Sequence, residues 1–268
     1  MNDTAKNKVI RFIKKYLLFQ KHRTYNLGWV PDKRDDRDIT YKVSMPGQAP
    51  SSTYRKNISE FRYRYDQKNL GSCVGHGVCE AFRRVLQVNY MPDLDPSRLF
   101  AYYIAREDKA NDTGATIRDA FKAMNKFGLC SEQTWRYIPV RFAEQPPIEA
   151  FLEAECHQII KYERVPQTKE AIMEVISQGY PIVYGKLLYD SFMSEKVAKT
   201  GIVPKPSRCF EECHGGHCMV IFDYDEKGCI ELNSWSDQWG QSGVCHVPWE
   251  YVLDKRLCSD LWTIYLTE

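Results

Sequence analysis

The chain has 268 residues, 43% of them hydrophobic and 27% charged, which suits one large globular domain or two lobes sharing a core. Those figures exclude a collagen-like, low-complexity or disordered chain, and no apolar run approaches the roughly 18 residues a membrane-spanning helix needs. The net charge of +2 is too small for nucleic-acid binding by the whole chain, but residues 1–24 hold seven Lys/Arg against one acid, Asp3, a local +6 that leaves −4 on the remainder.

Residues 5–21 place Val9, Ile10, Ile13, Leu17 and Leu18 at helical spacing among basic residues. That pattern fits a surface helix, a mobile arm, or a segment that docks on the body or on a membrane surface. From Gly28 to Asp38 the chain is charged and turn-prone, and the Pro/Gly/Ser stretch around Pro46 and Gly47 reads as a linker. Residues 1–48 are therefore taken as a basic N-terminal arm, a candidate pro-like segment, and residues 49–268 as the body. Apolar periodicity predicts helices over 73–90, 97–107, 115–127, ended by Gly128, and 168–178, ended by Gly179. Strands are predicted over 181–189, 217–224, 229–233, 243–248 and 260–267. Helices first and strands later predict an α+β protein of two lobes, about 49–165 mainly helical and about 166–268 mainly β. There is no internal repeat and no Gly-rich phosphate loop.

Cys73 stands where the first predicted helix of the body begins. Free amides and the helix dipole favour a thiolate there, although cysteines at helix starts also serve as plain packing residues. A thiolate nucleophile needs a basic partner, usually His, and that partner needs a third group to fix its ring. His217 opens an apolar strand and Asn233-Ser234-Trp235 ends the next, so the short turn between these strands can bring His217 beside Asn233. Two other arrangements compete. His76 lies one helical turn from Cys73, and Cys209, Cys213, His214, His217 and Cys218 form a compact cluster that could hold zinc or a Cys209–Cys213 disulfide. Ten cysteines without an apolar leader stretch predict reduced thiols in a cytoplasmic or otherwise reducing compartment.

Three segments together resemble the papain-like cysteine peptidases. Gln67, Gly71, Ser72 and Cys73 match the nucleophile motif. HCMVIFDY, from His217 to Tyr224, matches the histidine strand with Asp223 in place of a glycine, and NSWSDQWGQSGV matches from Asn233 to Val244. His217 follows Cys73 by 144 positions and Asn233 follows it by 160. The likeness spans about 50–268, and its arrangement is similar to short intracellular-type members from microbes and viruses; virion association follows if the source is viral. Leu70 stands where the family has a disulfide cysteine, Val74 where it has an aromatic residue, and the long helical pro-segment of secreted members is missing.

The resemblance implies a helical left lobe, an antiparallel β-barrel-like right lobe and a cleft between them. It implies Cys73 as nucleophile, His217 as its acid–base partner, Asn233 as the group that orients His217, and Gln67 as oxyanion donor. Gly71, Gly114, Ala115 and Gly216 fall at the substrate-binding edge, with Trp235 beside them shielding the His–Asn hydrogen bond. The implied partner is a protein or peptide substrate, with no cofactor, metal, nucleic acid or transmembrane segment. The basic arm is the one candidate for membrane-surface contact, and a weak one. A papain-fold acyltransferase or isopeptidase, or a catalytically silent binding scaffold, are the alternatives.

Overall fold

The computed structural model describes residues 25–44 and 64–266. The expected helix over 5–21, most of the linker and the boundary near residue 48 lie outside the described residues. The first half supplies α1 (Cys73–Val88), α2 (Arg98–Ala105), α3 (Ile117–Phe127) and α4 (Ile148–Ala154). The second half supplies α5 (Lys169–Ser177), α6 (Glu195–Thr200) and α7 (Trp249–Val252) among the strands. Side-chain caps set several helix starts: Ser97 accepts from the Phe100 amide, Thr116 from Asp119 and Thr168 from Ala171. Gly128 ends α3 at φ 77°, a backbone shape that favours glycine.

The strands are β1 (Lys161–Arg164), β2 (Ile182–Tyr189), β3 (Cys213–Tyr224), β4 (Gly228–Leu232), β5 (Val244–Pro248) and β6 (Cys258–Tyr265). They form one antiparallel sheet in the order β1-β6-β2-β3-β4-β5. The sheet is open, so the barrel-like shape expected of this lobe is a curved sheet rather than a closed one. β3 also begins four residues before the predicted start at 217. Its Gly215-Gly216 pair lacks strand propensity, yet β2 pairs with it in register, Leu187 opposite Gly216 and Leu188 opposite Gly215.

Alternation along β3 joins the two cores. Cys218, Val220 and Phe222 pack in the cluster shared with α1, while Met219 and Ile221 pack in the cluster on the other face of the sheet. α1 runs between the lobes and packs against α2, α3 and β3. It is buried along Cys73–Leu86, including His76, Glu80, Arg83 and Arg84. The periodic apolar stripe thus predicted one buried face of a helix that is buried nearly all round.

Candidate active site

Two local features bring the predicted residues together. The chain at 65–67 is stitched to the loop after β4: the Gln67 amide donates to the Ser234 carbonyl at 2.9 Å, and the Ser236 amide donates to the Tyr65 carbonyl at 2.8 Å. That seam sets Gln67 beside Asn233, and six residues further Cys73 opens α1. β3 and β4 pair antiparallel across the turn at 225–227, which carries His217 to Asn233. His217 Nε2 donates to Asn233 Oδ1 at 2.8 Å, and the Ser234 amide donates to the same oxygen at 2.8 Å. Nδ1 of His217 is therefore the ring nitrogen left for a thiol. Trp235 lies tilted against the His217 ring at 5.0 Å between centroids and is itself buried.

Gln67 is held at both ends of its amide. Ser234 Oγ donates to Oε1 at 2.6 Å, and Nε2 donates to the carbonyls of Leu70 at 3.0 Å and Asn26 at 2.9 Å. The last partner lies just before the stretch, Gly28 to Asp38, that sequence reasoning read only as charged and turn-prone. Residues 25–30 cross the cleft as a strap. Tyr25 stacks flat on Trp235 at 4.4 Å. The Trp29 amide donates to the Gly216 carbonyl at 3.1 Å, the Ala115 amide to the Gly28 carbonyl at 2.9 Å, and the Val30 amide to the Ala115 carbonyl at 3.0 Å.

Small residues make that approach feasible. A Cβ on Gly28 would stand 1.8 Å from the Gly71 carbonyl oxygen, and one on Gly185 would stand 1.8 Å from the Trp29 ring. A Cβ on Gly114 would stand 2.3 Å from the Gly28 oxygen, and one on Gly216 2.6 Å from the Trp29 oxygen. The four residues predicted for the substrate edge, Gly71, Gly114, Ala115 and Gly216, thus all touch the strap. Trp235, grouped with them, lies beneath Tyr25. Gly185 and Ser234 were missed as site residues. The first sits in a plain apolar strand, and the second was quoted only as part of a motif.

Beyond the cleft, carboxylates clamp the strap to the body. Asp32 accepts from Trp262 Nε1 at 2.8 Å and from Arg164 at 3.0 Å, and its amide donates to Asp260 at 2.8 Å. Asp38 accepts from Arg118 Nε at 2.8 Å and from Arg164 Nε at 3.1 Å. Burial, and then the neighbouring Asp260 charge, raise the Asp32 carboxyl above its usual range.

Covered in this way, both reactive groups are fully buried. Burial pushes the Cys73 thiol up to about 11, against the opposing pull of backbone amides of Cys218, Gly28, Val74 and Cys73 itself. Burial holds His217 down to about 4, against its bond to Asn233 and with the Lys186 charge adding to the effect. Nδ1 of His217 is buried and has no hydrogen-bond partner among the described residues. Both shifts favour the uncharged forms, thiol and neutral imidazole.

The competing sequence readings fare differently. His76 Nδ1 lies 2.9 Å from the Ser72 carbonyl, so the ring is tied to its own helix rather than to the thiol. Strand alternation disperses the Cys/His cluster: His214 pairs with Asp190 at 2.8 Å, while Cys218 packs toward Gly77 on the face opposite His217. Among the described residues no group of His, Cys, Asp or Glu is arranged to hold a metal, and Cys209 and Cys213 are free thiols. No helix among the described residues is long and apolar enough to cross a membrane.

Known proteins show the same pattern. The family model for papain family cysteine proteases matches residues 50–251. An uncharacterized peptidase C1-like protein, L477, of Acanthamoeba polyphaga mimivirus is 41% identical over 274 aligned residues, covering 89% of this chain and 86% of the relative. Among solved structures, xylellain, a cysteine protease from Xylella fastidiosa, superposes with a TM-score of 0.82 at 26% identity, covering 92% of this chain and 99% of that one. The bromelain protease from Ananas comosus, solved with the E64 inhibitor, gives 0.57 at 16% identity, covering 76% and 93%, a likeness of fold. On the strength of the family match and the viral relative, with the α+β fold in agreement, the chain belongs to the papain family of cysteine proteases.

Proposed function

We propose that the chain hydrolyses peptide bonds through an acyl-enzyme on Cys73, and that the strap within the N-terminal arm keeps the enzyme closed as a pro-like segment. One observation carries this reading: the cleft already holds an extended peptide. The strap bonds to Ala115 on one wall and Gly216 on the other, and its Asn26 carbonyl accepts from Gln67 Nε2. A site that binds backbone in this way suits a protein or peptide substrate.

Release of the strap lets water in and relieves the burial that keeps both groups neutral. The Cys73 proton then passes to Nδ1 of His217, and the thiolate attacks the substrate carbonyl carbon. Gln67 Nε2 and the Cys73 amide donate to the oxyanion. The imidazolium protonates the leaving amine as the C–N bond breaks. His217 then takes a proton from water, which hydrolyses the thioester and returns the free thiol. Asn233 keeps Nε2 occupied throughout. Gly185 and Gly216 leave the space that the Trp29 indole fills, so a substrate with a bulky aromatic side chain at that position is favoured. Ten free thiols, with Cys156, Cys209 and Cys213 exposed, suit a compartment that keeps cysteines reduced.

The test uses the full chain carrying Gly28→Ala, which spoils the strap's fit against Gly71. Peptide hydrolysis and covalent labelling by a thiol-directed peptide epoxide are expected, both abolished by adding Cys73→Ala. Hydrolysis that survives Cys73→Ala sinks the reading. Repeating the reaction with an added amine separates hydrolysis from acyl transfer, because a dominant amide product would point to transfer.

A further inference from the structure

Asn233 is fixed on its Oδ1 side by two donors, but its other end is not tied to protein. Nδ2 is buried with no partner among the described residues. Behind it, between α1 and the sheet, lies a small cavity with about 10 Å³ open to the centre of a water molecule, room for one. Tyr65, His76, Glu80, Asn233 and Ser234 are among its lining residues, and all five are buried. Two of them carry the same kind of orphan as Asn233: His76 Nε2 and Glu80 Oε1 are buried polar atoms without a partner among the described residues.

The chemistry of the three orphans is complementary to one water. His76 Nδ1 faces the Ser72 carbonyl, which can only accept, so the ring proton sits on Nδ1 and Nε2 is a bare acceptor. Burial and the nearby Arg98 charge hold His76 down to about 3, so this tautomer persists at neutral pH. Burial raises the Glu80 carboxyl to about 7, so Oε1 accepts in the ionised form and in the form that carries its proton on Oε2, and Asn233 Nδ2 donates. A single water satisfies all three by accepting from Asn233 and donating one proton each to His76 and Glu80, within the two to four partners that a buried water typically has.

We propose that a water in this cavity ties Glu80 and His76 to the Asn233 amide, making both of them positioning residues for the group that orients His217. The inference rests on the role proposed for Asn233. Rotated half a turn, the Asn233 amide would set Nδ2 against His217 Nε2–H and the Ser234 amide, donor against donor, and turn Oδ1 toward the cavity. The water, already donating to two acceptors, penalises that rotation from the far side. The imidazole is thereby held with its proton on Nε2 and with Nδ1 open to the thiol.

Two measurements on the full chain decide the matter without depending on activity. A high-resolution crystal structure is expected to show one ordered water within hydrogen-bond distance of His76 Nε2, Glu80 Oε1 and Asn233 Nδ2; an empty cavity overturns the proposal. Nitrogen NMR of the His217 ring is expected to show a single Nε2–H tautomer in the wild type and in Glu80→Gln, which keeps an acceptor oxygen. Glu80→Leu and His76→Phe are expected to broaden or shift that signal. Equal spectra for Glu80→Gln and Glu80→Leu would count against the link. In the Gly28→Ala background, Glu80→Leu should lower kcat on the order of tenfold with KM within about twofold, as loss of an outer orienting partner does elsewhere. A failed Cys73→Ala test would remove the enzyme reading while leaving the water and the NMR result standing.

Discussion

Ser234 and Gln67 lie 167 positions apart, and their hydrogen bond of 2.6 Å decides which way the Gln67 amide points. With Ser234 Oγ donating to Oε1, Nε2 faces the cleft, where it holds the Asn26 carbonyl, the place the proposed mechanism gives to the oxyanion. In an unblocked enzyme, Gln67→Ala is expected to lower kcat on the order of 10²–10³-fold, the usual loss for one oxyanion donor. Ser234→Ala should lower it less, since the donor remains and only its orientation is freed; steady-state kinetics on both variants check this, and equal losses would mean that Ser234 does more than orient Gln67. At this scale the sequence was informative because Gln67, Cys73, His217 and Asn233 stand in short motifs, which singled them out only together, through their joint resemblance to one family. The work of Ser234 could not, because its partner is remote in the chain. Glu80 was hidden for a related reason, because inside a helix it looks like an ordinary surface residue until the fold closes on it, and His76 stood out only as a rival base for Cys73.

The strap is the element that local reasoning misjudged. Gly28 to Asp38 shows turn residues and alternating charge, and by itself that pattern describes a solvated loop. Its partners, Gly71, Ala115, Arg118, Arg164 and Gly216, come from both lobes. Short elements such as α4, α6, α7 and β1 were also missed, since four to seven residues carry too little periodicity to stand out. The longer helices and strands were legible to within a few residues because their apolar spacing extends over several turns or alternations. The strap's fit makes a sharp prediction. Gly28→Ala puts a methyl group 1.8 Å from backbone oxygen, so either the strap or the Gly71 turn must move. Overpacking of this kind costs on the order of 1–3 kcal/mol, about five- to 150-fold in the docking equilibrium. Thiol labelling of Cys73 at neutral pH is expected to be slow in the full wild-type chain and faster by that factor in Gly28→Ala. Unchanged labelling would show that the strap does not limit access.

For the molecule as a whole, the sheet core contains an ion pair that the sequence conceals. Lys186, within an apolar strand, looks like the outward-facing residue of an alternating pattern. Instead it is fully buried, with Nζ 2.5 Å from Glu231 Oε2, and Tyr184 donates to the other carboxylate oxygen. Tyr184, Phe192 and Tyr251 surround the ammonium, their ring centroids 5.0, 5.7 and 5.3 Å away. Lys186 also lies opposite His217 in the β2–β3 register, so the charge pair, on β2 and β4, flanks the strand that carries His217. Burying two ions is costly, and their mutual attraction offsets that cost only while both are present. Lys186→Met should therefore destabilise the fold by about 3–5 kcal/mol, because it strands the Glu231 carboxylate in an apolar core. Adding Glu231→Leu should recover much of that loss, although Tyr184 then loses its acceptor. Urea unfolding of the wild type, both single variants and the double variant measures the coupling directly. Additive losses would mean that the pair contributes nothing as a pair, whereas a double variant more stable than Lys186→Met alone would show that the isolated charge, rather than the missing lysine, is what the core cannot tolerate.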